Sequence, residues 1–131
     1  MPGRGASPRP KDVKDLDAWR EAIALCKAVY GATKAFPREE AFGLTSQMRR
    51  AAVAVASNLA EGHGRGTRRD YRQFVVIGRG SASELETQVI VAREVGLLGD
   101  EVASTLLAQT NRVLRLLNGL ARSLASEPTE P

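Results

Sequence analysis

Four arginines fall within eight residues, at Arg65, Arg68, Arg69 and Arg72, in the stretch GHGRGTRRDYRQF. An arginine guanidinium presents a planar fork of N–H donors. It grips a phosphate or carboxylate with two parallel hydrogen bonds, which the point charge of a lysine does not do. Every basic residue after Lys34 is arginine. Tyr71 lies among the four, where it would stack on an unpaired base, although an aromatic at this spacing more often belongs to the core. The turn is expected to open a helix, whose first N–H groups and positive dipole end also attract anions. Arg65, Arg68, Arg69, Arg72 and Tyr71 are therefore expected to bind nucleic acid, RNA in particular. The plainer reading is a solvated basic turn, or one paired with a neighbouring subunit.

A second polar group comprises Gln47, Arg50, Asn58, Glu61, Arg79 and Glu84, with Glu86 and Gln88 nearby. Asn58 and Glu61 are three residues apart, and Glu84 and Gln88 four, so each pair shares a helical face. The expectation is a buried or interfacial network in which Arg50 or Arg79 pairs with Glu61 or Glu84, fixing helix register or joining subunits. Ferritin-like metal sites need Glu-x-x-His pairs, but the one histidine, His63, sits in the glycine turn. Cys26 is the one cysteine, so no intramolecular disulfide can form. No Ser-His-Asp or Cys-His arrangement can be assembled either. No catalytic residue, metal ligand or cofactor is assigned. The run FVVIGRGSAS carries Ser83 where a dinucleotide fingerprint needs its third glycine, and its flanks read as helix.

The elements that must position these residues are all helical. The chain has 131 residues, 43% hydrophobic and 5% aromatic, which suits a single domain with an aliphatic helical core. Periodicity predicts a first helix over 17–33 on the face Trp19, Ile23, Cys26, Val29 or Tyr30, and Thr33, ended before Pro37. A second is predicted over 42–61, with Leu44, Met48, Ala51, Ala52, Val55 and Leu59 inward. Thr45 or Ser46 would cap it, and Gly62 and Gly64 would stop it. A third, over 67–95, opens with Thr67 and Asp70 as a variant capping box and breaks at Gly96. The fourth, over 100–124, has Asp100 as N-cap and faces inward through Val102, Leu106, Gln109, Val113, Leu116, Leu117, Leu120 and Leu124. Short connections predict an all-α, antiparallel, up-down four-helix bundle over 15–125. Residues 1–14 read as a disordered basic arm and 126–131 as a disordered tail.

Small residues mark one seam. The second helix carries AAVAVAS at 51–57 and the third carries GRGSAS at 78–83, so the two are expected to cross closely. Gly80→Leu would then disrupt that seam and any oligomer built on it. The formal net charge is +4, and seven arginines stand against Glu61 and Asp70 between Arg49 and Arg79. No apolar run approaches the roughly 20 residues needed to cross a bilayer, and no secretory signal is visible. The default is a soluble cytoplasmic protein.

Four motifs occur in order: D-L-x-x-W from Asp15, F-P-x-x-E-x-F-G-L from Phe36, S-N-x-A-E-G from Ser57 and G-S-x-x-E-L-E-T-Q from Gly80. On these the chain resembles the four-helix-bundle proteins named for the intervening sequences of 23S ribosomal RNA genes, over roughly residues 15–120. The resemblance implies a ring-like homopentamer with a basic surface suited to nucleic acid, and no known catalytic residues. A related branch is the accessory variability protein of diversity-generating retroelements, whose pentamer binds a reverse transcriptase and its template RNA. The alternative function is therefore a protein-interaction adaptor, such as an accessory subunit of a reverse transcriptase, with little nucleic-acid affinity of its own. Gly78 stands where the family is expected to carry alanine, a change that would loosen the third helix, and Leu59 where it is expected to carry isoleucine.

Overall fold

Apolar residues recurring every three to four positions give each helix one stripe that must be buried against another helix. The computed structural model describes residues 12, 13 and 16–125. The expected arm at 1–14, apart from Asp12 and Val13, and the expected tail at 126–131 lie outside them. Four helices follow in order: α1 (Asp17–Thr33), α2 (Leu44–His63), α3 (Arg68–Glu94) and α4 (Asp100–Ala125). A 3-10 turn at Arg38–Glu40 lies between α1 and α2, and no strand occurs among the described residues. Each helix packs on two neighbours in the cyclic order α1–α2–α3–α4, and neither diagonal pair brings Cα atoms within 8 Å. The expected antiparallel up-down bundle is the observed one.

One core runs the length of the molecule. Its largest fully buried side chains include Leu25, Met48, Leu59, Leu85, Leu106 and Leu117. The α2 stripe is as expected, extended by Ala56 and Gly62, with Leu44 only partly buried. The α1 stripe is rotated from the expected one. Ala18, Ala22, Leu25, Val29 and Thr33 are buried, Trp19 and Cys26 pack at the flank, and Ile23 and Tyr30 are exposed. Alanines on the inner face let α1 lie close to its neighbours, and the bulky residues fall beside the contact. In α4, Ala103, Thr110 and Ala121 join the inner face, while Val102 is exposed and Leu116 and Leu120 are half-buried. Thr110 is tolerated inside because its hydroxyl donates to the Leu106 carbonyl at 2.7 Å.

The helix ends match some expectations and correct others. Thr67 caps α3, its Oγ1 accepting from the Asp70 N–H at 3.1 Å. Neither Thr45 nor Ser46 caps α2. The N-cap is Gly43, and the Leu44 N–H donates to Glu40 Oε1 at 3.1 Å, so the acceptor arrives from the 3-10 turn. Gly64 ends α2 in right-handed geometry, with φ −80°, and the left-handed glycine is Gly96, with φ +85°.

The α2–α3 seam is close, but its glycines act differently from expectation. Gly62 lies inside α2, buried against α3. A Cβ there would come within 2.7 Å of Phe74 Cβ and 3.1 Å of the Tyr71 carbonyl oxygen. Gly78 is buried against Val55 and Asn58, where a Cβ would make ordinary contacts at 3.5 Å. Gly80 points away, with nothing within 4 Å of a Cβ, so it does not form the seam within the protomer. Gly80→Ala should therefore raise stability by up to about 1 kcal/mol, through helix propensity and a less flexible unfolded chain. A rise in Tm with unchanged helix content checks this.

Candidate nucleic-acid interface

The end of the bundle where α3 begins and α4 finishes is held by arginines. Arg68 Nη2 donates to the Ser123 carbonyl at 2.7 Å, and Arg72 Nε donates to the Ala121 carbonyl at 3.1 Å. Both acceptors lie near the end of α4, where the dipole is negative, and the Ser123 carbonyl is one of the last four, which lack intrahelical partners. Two of the four expected binding arginines thus fasten the start of α3 to the end of α4. The acceptors in these two bonds are neutral carbonyls. Arg49 makes the same kind of contact at the end of α1. Its Nε donates to Thr33 Oγ1 at 2.9 Å, its Nη2 to the Tyr30 carbonyl at 3.5 Å, and its guanidinium lies 4.5 Å from the Tyr30 ring centroid.

Arg68, Arg69 and Arg72 line one open cleft of about 660 Å³ with Gln73, Val76, Leu124 and Ala125. Arg69 is exposed. Arg65 stands apart, paired with Glu61 at 3.0 Å and resting over Phe74 with 5.0 Å to the ring centroid. Both members of that pair are about half exposed, so it adds only a few tenths of a kcal/mol.

Tyr71 corrects the sequence reading. It is 3% exposed, part of the core, and its ring meets His63 edge to face at 5.7 Å between centroids. A ring held there cannot stack on a base. It sits on the stripe shared with Val75 and Gly78, so its spacing reports burial.

The expected polar network divides into separate contacts. Asn58 Nδ2 donates to the Ala54 carbonyl at 2.8 Å, within its own helix. Arg79 Nη1 donates to Asn118 Oδ1 at 3.2 Å, across to α4. Glu61 pairs with Arg65. Gln47, Arg50 and Glu84 are exposed, around a shallow groove between α2 and α3 that Ala51, Ala54 and Ser81 also line. The network is not buried, because these residues lie on the outer flanks of the α2–α3 contact.

Two further features bear on function. Phe42, read as the first residue of α2, lies before it in the turn and is 99% exposed. Beside it runs an open groove of about 630 Å³ lined by Tyr30, Ala41, Thr45, Arg49, Arg50 and Val53. The signal available in the sequence was a second phenylalanine, after Phe36, in one short connection. Cys26 is half-buried, and burial pushes its thiol pKa up, away from the reactive thiolate. Among the described residues no group of three or more His, Cys, Asp or Glu could hold a metal ion, and no helix is long and apolar enough to cross a membrane.

Comparison with known proteins places this geometry. A crystal structure of a protein of unknown function from the S23 ribosomal protein family of Bacteroides thetaiotaomicron has the same fold, with a TM-score of 0.73. The two share 14% identity over 80% of this chain and 98% of the other. No curated protein matches. The model of the 23S rRNA-intervening sequence proteins matches residues 14–119, which takes in all of α1, α2 and α3 and most of α4. The chain belongs to the 23S rRNA-intervening sequence protein family.

Proposed function

We propose that this protein is a non-enzymatic, homo-oligomeric bundle, pentameric by its family resemblance, that binds nucleic acid through the cleft of Arg68, Arg69 and Arg72. RNA is the favoured ligand, and the cytoplasm the expected compartment. The observation that carries this reading is that three arginines line one open cleft. Two are anchored from behind by carbonyls, so they meet a phosphate with their geometry already fixed. Pre-ordering side chains in this way reduces the entropy lost on binding.

The test is salt dependence. Three arginines each neutralising one phosphate of a single strand give a slope of log affinity against log salt of about −2 per protomer. Fluorescence anisotropy with a labelled single-stranded RNA, at several salt concentrations, measures it. A flat response would remove the electrostatic mechanism.

A second reading is an adaptor for a protein partner such as a reverse transcriptase. It is favoured by the apolar side chains left exposed on α3, Ile77, Ile90 and Val91, and just past its end, Val95. Pull-down with and without nuclease separates the two readings. A protein partner retained after nuclease favours the adaptor.

A further inference from the structure

We propose that copies of this chain join by seating Phe42 of one copy in the groove between α1 and α2 of the next. The inference rests on the self-association reading above and assigns its surface.

The connection between α1 and α2 carries two phenylalanines. Phe36 packs against the core and closes the bundle there. Phe42 is 99% exposed, the most exposed large apolar side chain among the described residues. It follows Ala41, which lines the groove, yet its ring does not enter that groove. A bare phenyl ring at the rim of an apolar-floored groove, turned out of it, is a knob without a hole in its own protomer.

The groove fits such a knob. Tyr30 and Val53, both exposed apolar residues, and Ala54 give it an apolar lining. Its size, about 630 Å³, readily admits a phenyl ring. The charges also match. Glu39 is exposed in the turn that presents Phe42, and Arg50 is exposed at the groove. Glu40 is already occupied by the Leu44 N–H and Arg49 by α1, so Glu39 and Arg50 are the pair that would meet across the contact. Knob and groove are different surfaces of one chain. Where each contact uses one knob and one groove, one of each stays open for a further copy, and a head-to-tail arrangement of this kind closes as a ring or continues as a filament.

The test is sedimentation velocity and light scattering on the full chain at micromolar concentration. Phe42→Ala should weaken self-association at least about 30-fold, the loss of one central aromatic anchor. Its circular dichroism should be unchanged, because an exposed ring supports nothing in the protomer. Glu39→Arg and Arg50→Glu should each weaken association, and the two together should restore part of it. Association of Phe42→Ala equal to that of the unaltered chain overturns the proposal and leaves the assembly reading standing. An unaltered chain that is monomeric overturns both. RNA binding that persists in a dissociated Phe42→Ala protein supports the assignment of this contact to assembly alone.

Discussion

Gly62→Val should lower the stability of the bundle by about 3 kcal/mol, at the upper end of what overpacking a close contact costs. For a helical domain of this size that is a drop in Tm of about 12 °C. Even a Cβ at this position would stand 2.7 Å from Phe74 Cβ and 3.1 Å from the Tyr71 carbonyl oxygen. The second of these is backbone, so α2 and α3 would have to separate. Gly78→Ala provides the contrast on the same seam. Its Cβ would meet Val55 and Asn58 at 3.5 Å, an ordinary contact. Helix propensity then favours alanine by about 1 kcal/mol, so Tm should rise. Thermal unfolding followed by circular dichroism reads both. Shifts in the same direction would contradict the seam geometry.

Converting Arg68, Arg69 and Arg72 together to glutamine should weaken RNA binding about 100-fold near 0.1 M salt and flatten its salt dependence. The single variants divide the roles. Arg69→Gln should weaken binding several-fold and leave Tm unchanged, because Arg69 is an exposed residue of the cleft. Arg72→Gln should weaken binding and also lower stability by about 1 kcal/mol, since it removes a charged donor from the negative end of α4. Anisotropy and thermal unfolding on the same preparations check both effects. Loss of binding that tracked Tm alone, with Arg69→Gln silent, would assign the cluster to structure.

The helices were legible in the sequence because the signals that make them are local. The Thr67–Asp70 cap spans three residues, Gly96 ends α3 through its own φ angle, and the α2 stripe repeats within one segment. The α1 face was read with the wrong rotation, because bulky Ile23 and Tyr30 outweigh Ala18 and Ala22 in any hydrophobic pattern. Burial follows which helix can approach, and alanines permit the closer approach. The arginine cluster was visible as charge, but its anchoring was not. Arg68 reaches Ser123 and Arg72 reaches Ala121, residues 55 and 49 positions away in the chain. Tyr71 failed as a binding residue for a related reason. Its position among arginines suggested a surface, but its spacing to Val75 and Gly78 placed it on the buried stripe.

The clasp at the end of the bundle uses guanidinium groups on one side and peptide oxygens on the other. Peptide oxygens are present whatever side chain a codon specifies. Positions 121 and 123 can therefore mutate, subject only to the space around them, without unfastening the two helices. Positions 68 and 72 have no such latitude. A substitution there would release the final turn of α4 and remove positive charge from the cleft in one step, so drift should gather on one side of the clasp and spare the other.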